Sequence, residues 1–399
     1  MLYNFYALSS GGARHRAKVG QSKMNIEMNI SNYNSYLLID RALLRENVQT
    51  ILAELGKDTG LIPVLKDDAY GLGLVPVART LCENPAIRIF AVAHVSEGLR
   101  LREAGIDREI LVMGGALPFQ LHAAVEAELT LACGHAGFLT QLAEAAAGLG
   151  KKAKGQIKID TGLHRIGFEP VELDALVGEL RACEELVEIT GAFSHFSDVS
   201  DPVLSRKEYD IFMEALDFLR LRDIPIPMWH MACSASSENW PQYNMKAVRC
   251  GRRLYMDRPK NPDGTIREIA SFRSFITQVK KRPAGEKLGY GGAATLERDT
   301  LVATVGVGYG DGLNQKLFEI HAPVLAGGQR CKMLCCCMDQ CMIDVTGTDC
   351  KVGDEVTFFG YDAQGDFLSS QEIAAMINRD EGCGLTSALS PRVKRIYKD

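Results

Sequence analysis

The residues best placed to do chemistry begin with a lysine. In LIPVLKDDAYGLG, residues 61–73, an apolar run ends on Lys66 and passes into a polar turn carrying Tyr70 and two glycines. An ammonium closing a short buried strand costs several kcal/mol unless it is paired, neutralised or led back to water. Two readings fit. The side chain runs out along apolar surface to solvent, or it is a desolvated amine free to attack an aldehyde and form a Schiff base. On the second reading Tyr70, four residues on, lets a phenol and nearby backbone amides reach a phosphate.

DTGLHRIGF, residues 160–168, sets a carboxylate, a flexible turn and Arg165 directly after a strand. The planar fork of a guanidinium suits a phenolate or a carboxylate, although an arginine in a polar turn also serves as a surface ion pair. Lys158, two residues before Asp160, falls on the same strand face. If that face lines an interior, the amine needs a neutralising partner or a modification. His195 in AFSHFSD follows another apolar strand, where a satisfied core histidine fits equally. Ser234 in WHMACSAS offers a hydroxyl and backbone donors to a phosphate, or simply caps a helix. Arg249 closes the last of these strands in AVRCGRRLY. A guanidinium keeps its proton, so against the pyridine nitrogen of a cofactor such as pyridoxal phosphate it would donate a hydrogen bond and leave that nitrogen unprotonated. Such a ring is a weaker electron sink, which favours simple proton exchange over transamination.

Tyr290 in GEKLGYGG and Tyr309 in VGVGYGDG stand between glycines, which let a ring approach a ligand closely and also mark ordinary turns. Cys335, Cys336 and Cys337, with Cys331 and Cys341, carry no CxxC pair and no accompanying histidines, so no metal site is expected.

These residues need elements to position them. From Tyr36 onward, short apolar runs alternate with helical stretches, the pattern of βα units and a parallel sheet. Strands are expected at 62–65, 89–93, 110–113, 129–132, 156–159, 187–192, 225–229 and 246–248. Eight strands point to a (β/α)8 TIM barrel, with helices over 119–127, 138–149 and 172–180, where Ala, Leu and Glu favour helix. The strand ends run into Lys66, His94, Asp160 with Arg165, His195, Ser234 and Arg249, and active sites of such barrels are built on that C-terminal face. Beyond residue 269 the alternation gives way to short β-branched segments punctuated by glycine, with only 371–378 helical. The expected organisation is therefore a flexible extension over 1–33, a cofactor-binding barrel over 34–268 and a mostly antiparallel β domain over 269–399.

The 399 residues exceed one barrel of roughly 250 and leave room for that second domain. A hydrophobic content of 46% and a charged content of 24% are those of an ordinary globular protein. With 45 basic against 50 acidic residues and no long basic run, nucleic acid and anionic membrane are disfavoured as partners. No apolar run reaches the roughly 18 residues of a membrane helix, and the N-terminus lacks the order of a signal peptide. A cytoplasmic protein is expected, with its 12 cysteines as reduced thiols.

Taken together, these segments resemble the alanine racemases, pyridoxal-phosphate enzymes with a barrel followed by a β domain, from about Tyr36 to Tyr397. VLKDDAYGLG is similar to the family's cofactor-lysine motif, KIDTGLHRIGF to its arginine motif, SHF to its strand-six histidine and HMACSAS to its phosphate-loop segment. VRCGRRLY, LGYGGA, GVGYGDG, CMDQCMIDV and PRVKRIY continue in the family's order. The resemblance implies that Lys66 carries the cofactor and acts as base for one enantiomer, while Tyr290 from a second subunit serves the other, so that a homodimer shares its active sites. His195 would tune Tyr290, with Arg249 beyond it at the pyridine nitrogen. Arg165 would hold the cofactor's phenolic oxygen and approach the substrate carboxylate, and Lys158 matches a lysine often carbamylated to support that arginine. The phosphate would be held by Tyr70, Ser234, backbone at Gly251 and Arg252, and Tyr397, with Tyr309, Met338 and Asp339 near the substrate.

The implied activity is that of an isomerase interconverting L- and D-alanine and supplying D-alanine for peptidoglycan, with a serine or broad-spectrum amino-acid racemase as the alternative. Leu72, Arg252, the MDRP that follows Tyr255, and the pair Leu334 and Cys335 depart from the family's usual residues and bear on cofactor affinity and substrate range. A decarboxylase of the same barrel class would carry a cysteine-aspartate-glycine signature where this chain has MDQ. Single-barrel cofactor carriers would lack the second domain.

Overall fold

The computed structural model describes residues 30–256, 267–378 and 383–399. The extension read from the sequence lies outside the described residues as far as residue 29. The chain divides into two compact units, one of Leu43–Arg267 and one of Met1–Ala42 with Glu268–Asp399.

In the first unit β2 (Gly60–Pro63), β3 (Ile89–Val92), β4 (Glu109–Val112), β5 (Thr130–Cys133), β6 (Ala153–Lys158), β7 (Val187–Phe193), β8 (Trp229–His230) and β9 (Ala247–Cys250) run parallel. β3 to β8 form one sheet in chain order, and β2 pairs with β9. A bridge from Val64 to Ala91 joins the end of β2 to β3, and one from Cys233 to Arg249 ties the chain after β8 to β9, closing the ring. Strands buried on both faces read as continuous apolar runs, which is why Ile89–Val92 shows no alternation. Ile62, Val64, Ile89, Ala91, Leu111, Ala132, Phe193 and Ala247 pack together in the sheet's core.

Helices alternate with the strands: α1 (Arg41–Leu55), α2 (Leu74–Cys82), α3 (Val95–Glu103), α4 (Leu121–Glu126), α5 (Phe138–Leu149), α6 (Leu173–Cys183), α7 (Pro202–Arg220), α8 (Ser234–Asn239) and α9 (Arg252–Tyr255). Helix α5 buries Phe138, Leu139, Leu142, Ala143 and Ala146, one apolar stripe at helical spacing. Strand β8 differs from the expected 225–229: only Trp229 and His230 pair, because Pro225 and Pro227 have no N–H to give a ladder.

The second unit is a nine-stranded sheet in the order β18, β17, β14, β15, β16, β13, β10, β1, β19. Here β1 is Ser35–Asp40, β10 Ala270–Arg282, β13 Thr300–Val305, β14 Pro323–Ala326, β15 Gln329–Cys336, β16 Cys341–Asp344, β17 Glu355–Tyr361, β18 Phe367–Leu368 and β19 Lys394–Lys398. Pairing is antiparallel except between β1 and β19. The sequence reading placed the segment from residue 34 with the barrel, yet β1 joins this sheet, Leu37 opposite Phe272 and Arg395. A separate hairpin of β11 (Lys287–Leu288) and β12 (Ala294–Thr295) carries Tyr290 at its turn.

Candidate active site

Lys66 follows β2 and starts a turn with an uncommon backbone. Asp67, Asp68, Ala69 and Tyr70 have φ of 57°, 52°, 55° and 57°, four consecutive non-glycine residues in the left-handed region. Each costs roughly 1–2 kcal/mol, so the run costs on the order of 4–8 kcal/mol that tertiary contacts must offset. Within the turn the Ala69 N–H donates to Leu65 O and the Gly71 N–H to Asp67 O, both at 2.8 Å. Gly71 itself sits at φ 80°, continuing the left-handed path without a Cβ penalty. The result leaves the Lys66 side chain exposed and its Nζ 5.9 Å from the Tyr70 ring centre.

Arg249, on β9, is the hub of the barrel unit. Its Nη1 donates to His230 Nδ1 at 2.6 Å and to His230 O at 3.2 Å. Its Nη2 donates to Ser194 O at 2.7 Å, to Met231 O at 3.0 Å and to His195 Nδ1 at 3.0 Å. A guanidinium only donates, so both histidines must present a bare Nδ1 and carry their hydrogen on Nε2. His230 spends that hydrogen on Gln156 Oε1 at 2.9 Å. His195 keeps its Nε2–H for a ligand or partner. Burial and then the Arg249 charge push the His195 pKa down to about 3, and burial takes the His230 pKa well below its ordinary value, so both rings are neutral at physiological pH. Burial lowers Arg249 to about 10, which still leaves it protonated there.

Lys158 ends β6 on the face that also carries Gln156, at the two-residue period of a strand. Its Nζ donates to Ile159 O at 3.0 Å and stands 5.4 Å from the Phe193 ring centre. Burial first, then the charge of Arg249, pushes its pKa down to about 7, with Asp160 opposing and Arg165 adding to the fall. Arg165 lies exposed on the 160–168 loop. Asp160 Oδ1 shapes that loop by accepting from the Gly162 and His164 N–H groups at 3.0 and 3.1 Å. Gly167, at φ 134°, allows it to fold back, since a Cβ there would lie 2.6 Å from Asp160 N. The charges of Arg165, Lys158 and Lys66 all act on His195, so these four candidates and Arg249 occupy one electrostatic neighbourhood.

A cradle for an anion lies beside them. Ser234 Oγ accepts from the Gly251 and Arg253 N–H groups at 3.2 and 3.3 Å. A Cβ on Gly251 would fall 2.1 Å from Tyr70 Oη, so only glycine lets that phenol approach the loop. Two hydroxyls and backbone amides converging there suit a phosphate. Arg252, at the same loop, is half-buried.

The remaining sequence candidates belong to the β unit. Tyr290 is 86% exposed, between Gly289 and Gly291 at φ 72° and 66°. Tyr309, Met338 and Asp339 are brought together: the Tyr309 N–H donates to Cys337 O at 3.1 Å, the Gly310 N–H to Met338 O at 2.8 Å, and Arg392 Nη1 to Asp339 Oδ1 at 2.8 Å. Tyr397 lies half-buried on β19, paired with Ile39.

Residues 39–259 match the alanine racemase N-terminal domain and residues 269–397 the alanine racemase C-terminal domain. The chain belongs to the alanine racemase family. It is 34% identical over 360 residues to alanine racemase 2 of Caldanaerobacter subterraneus subsp. tengcongensis, covering 88% of this chain and 91% of that relative. Among solved structures it is similar to the alanine racemase of Clostridium difficile 630, with a TM-score of 0.85 at 29% identity over 92% of this chain and 96% of that one. The alanine racemase of Bacillus anthracis with bound L-Ala-P gives a TM-score of 0.84 at 26% identity over 92% of this chain and 95% of that one.

Against the alanine racemase pattern, Leu72 is fully buried, so its side chain is a packing element of the Lys66 turn. Cys335 packs with Leu288, Ala294, Leu296 and Val302 at the Tyr290 hairpin. Of the MDRP segment, residues 257–259 lie outside the described residues. Among the described residues, no group of three or more His, Cys, Asp or Glu side chains is arranged to hold a metal ion. Gln156 and Glu97 escaped sequence reasoning, and His230, which stands beside Ser234 in WHMACSAS, had no role assigned to it. His230 and Gln156 carried a signal, since a histidine and a glutamine on buried strands need hydrogen-bond partners, which they find in each other and, for His230, in Arg249.

Proposed function

We propose that this chain is a pyridoxal-phosphate-dependent isomerase that interconverts L- and D-alanine, with Lys66 and the Tyr290 of the partner subunit as its two bases. The observation that carries the reading is the neighbourhood of Lys66, Arg165, Lys158, His195 and Arg249 beside the Tyr70, Ser234 and Gly251 cradle. When bound, the cofactor supplies an aldehyde for the amino group and a ring that draws electrons from the α-carbon. Lys66 anchors that aldehyde and, as a free amine, takes or returns the α-proton on one face. The phenol of Tyr290 does the same on the other. His195 offers its Nε2–H to the phenol oxygen, which stabilises a phenolate, and Arg249 fixes the ring in that tautomer. Arg249 also donates to the pyridine nitrogen without protonating it, which restrains side reactions. Tyr70, Ser234 and the Gly251 and Arg252 backbone, with Tyr397, hold the phosphate, while Tyr309, Met338 and Asp339 line the substrate's side.

A homodimer follows from this reading, because an 86% exposed catalytic phenol needs a second copy to serve. Among the described residues no helix is long and apolar enough to cross a membrane. We place the enzyme in the cytoplasm, supplying D-alanine for peptidoglycan. Lys158, half-deprotonated near neutrality, has the nucleophilicity to take up carbon dioxide, and a carbamate there would set negative charge against Arg165 and Arg249.

The depressed Lys158 pKa has a measurable consequence. Between about pH 7 and 10.5 the unfolded chain holds a proton that the folded chain lacks, so stability rises with pH across that window. The slope from this one group is at most about 1.4 kcal/mol per pH unit. Urea unfolding in carbon-dioxide-free buffer should show the rise in the wild type and a flatter profile in Lys158→Met. Bicarbonate should abolish the difference if the carbamate forms. Identical profiles for both proteins without bicarbonate would refute the buried neutral amine.

The reading is tested by α-proton exchange and loss of optical rotation with L-alanine, beside L-serine and L-lysine, on purified protein with pyridoxal phosphate. D-alanine formed at the highest kcat/KM of the three is expected. Faster turnover of serine or lysine would overturn the assigned substrate.

A further inference from the structure

The left-handed turn that carries Lys66 is held from outside by a buried side chain. Glu97, in the first turn of α3, is 8% exposed, and both its oxygens are engaged by backbone. Oε2 accepts from the Ala93 and His94 N–H groups at 2.8 and 3.0 Å, which caps the helix. Oε1 reaches away from the helix and accepts from the Asp67 N–H at 2.6 Å. Capping α3 requires only the first oxygen. The second spans to another loop, and its partner is the residue next to Lys66.

The ladder between β2 and β3 explains why that contact matters. It continues past β2 through the Val64 to Ala91 bridge and the Leu65 N–H donated to Ala91 O at 2.7 Å. There it stops, because Asp67 has already turned into the left-handed region. Lys66 is therefore bracketed by two fixed amides, that of Leu65 on a strand and that of Asp67 on Glu97. A second tie comes from the same helix: Arg100 Nη2 donates to Asp68 Oδ1 at 3.1 Å, and that oxygen also accepts from the Leu74 N–H at 3.1 Å. The Arg100 pair is half exposed and contributes little alone. Glu97 is the buried member.

We propose that Glu97 is a positioning residue for the catalytic lysine: its carboxylate pins the left-handed turn and so fixes the direction in which the Lys66 amine leaves the barrel strand. It touches neither cofactor nor substrate and acts through the Asp67 amide. The inference rests on Lys66 being the cofactor-bearing lysine. Without an acceptor at Oε1, the Asp67 N–H is orphaned and the turn can relax toward the right-handed conformation its residues prefer. The amine then swings from its place while the barrel, held by its own ladders, stays folded.

The test compares wild type with Glu97→Gln and Glu97→Leu, and with Arg100→Met as a partial release. Glutamine keeps the volume, and with its one acceptor retained by the Ala93 and His94 N–H groups it sets an amide donor against the Asp67 N–H, so it decides the matter even if the leucine variant does not fold. Three readouts are taken: the rate at which apoprotein captures pyridoxal phosphate by absorbance, amide hydrogen exchange of the 61–73 segment, and the α-deuterium isotope effect in each direction of alanine racemisation. Capture is expected to slow roughly 10- to 100-fold in Glu97→Gln, the cost of one charge-assisted hydrogen bond, and less in Arg100→Met. Exchange should speed up at Asp67 and its neighbours only. The isotope effect should rise only in the direction in which Lys66 removes the proton, an asymmetry that a general loss of stability would not produce. Wild-type capture and exchange in Glu97→Gln would overturn the proposal. Borohydride trapping and peptide mapping on the wild type separate the two readings, since a cofactor fixed elsewhere than Lys66 would sink the functional assignment instead.

Discussion

Lys66→Ala should lose racemisation in both directions, by roughly 10,000-fold or more, the upper end of what one positioned proton-transfer group contributes. On the proposed function the same nitrogen would both anchor the cofactor and move the α-proton, so a single truncation would remove two functions. It is also a clean experiment. The Lys66 side chain is exposed and its amine stands 5.9 Å from the Tyr70 ring centre, so no packed group is removed. Stability should change by no more than about 0.5 kcal/mol, the range for surface substitutions away from special features. Polarimetry with either enantiomer reads the activity and a thermal melt reads the fold. Near wild-type turnover with an intact fold would remove Lys66 from the chemistry.

That such a residue could be picked from sequence follows from where it stands. A lysine ending an apolar strand, a histidine ending another and an arginine ending a third are costly placements, and the alternation of strands and helices puts all three at one end of a parallel sheet. Eight strand positions were legible for the same reason, since strands buried on both faces are short uninterrupted apolar runs. Partner choice was less legible. β1 is as apolar as the barrel strands, and nothing in SYLLID says that its neighbours are β10 and β19, more than 200 residues away in the chain. Strand β8 was displaced because the apolar run 225–229 contains two prolines, and the pairing begins only where they end.

The Lys66 turn was the least legible part of the site. KDDAY has no glycine and would ordinarily wind right-handed, so its left-handed path is imposed by contacts that local propensity does not report. Glu97 shows the other side of this: in VSEGLRLRE it reads as a solvated helix charge, and only the fold shows it buried with three backbone donors. Gln156 and Lys158 were half legible, because the strand period puts them on one face, but the identity of that face is settled by Arg249 and His230 across the barrel.

The second large effect concerns Tyr290. Tyr290→Phe removes one hydroxyl from a side chain that is 86% exposed, so the fold has little to lose, while the base proposed for one enantiomer would be gone. Exchange of the α-proton should be suppressed more strongly from that enantiomer than from the other, and net racemisation should fall roughly 100- to 10,000-fold. Whether Tyr290 works in its own chain or across a dimer is then decided by mixing. In a head-to-tail pair each site takes Lys66 from one copy and Tyr290 from the other. Lys66→Ala and Tyr290→Phe homodimers are both inactive, but subunit exchange between them makes heterodimers in which one site contains two defects and the other none. Random reassortment makes half the dimers mixed, each with one intact site of two, so the mixture should recover about a quarter of wild-type activity from two inactive parents. Recovery should follow the rate of subunit exchange and vanish when the parents are crosslinked beforehand. A mixture that stays inactive although exchange is shown by mass would mean that both bases come from one chain, since in that case every site in the mixture is missing one of them.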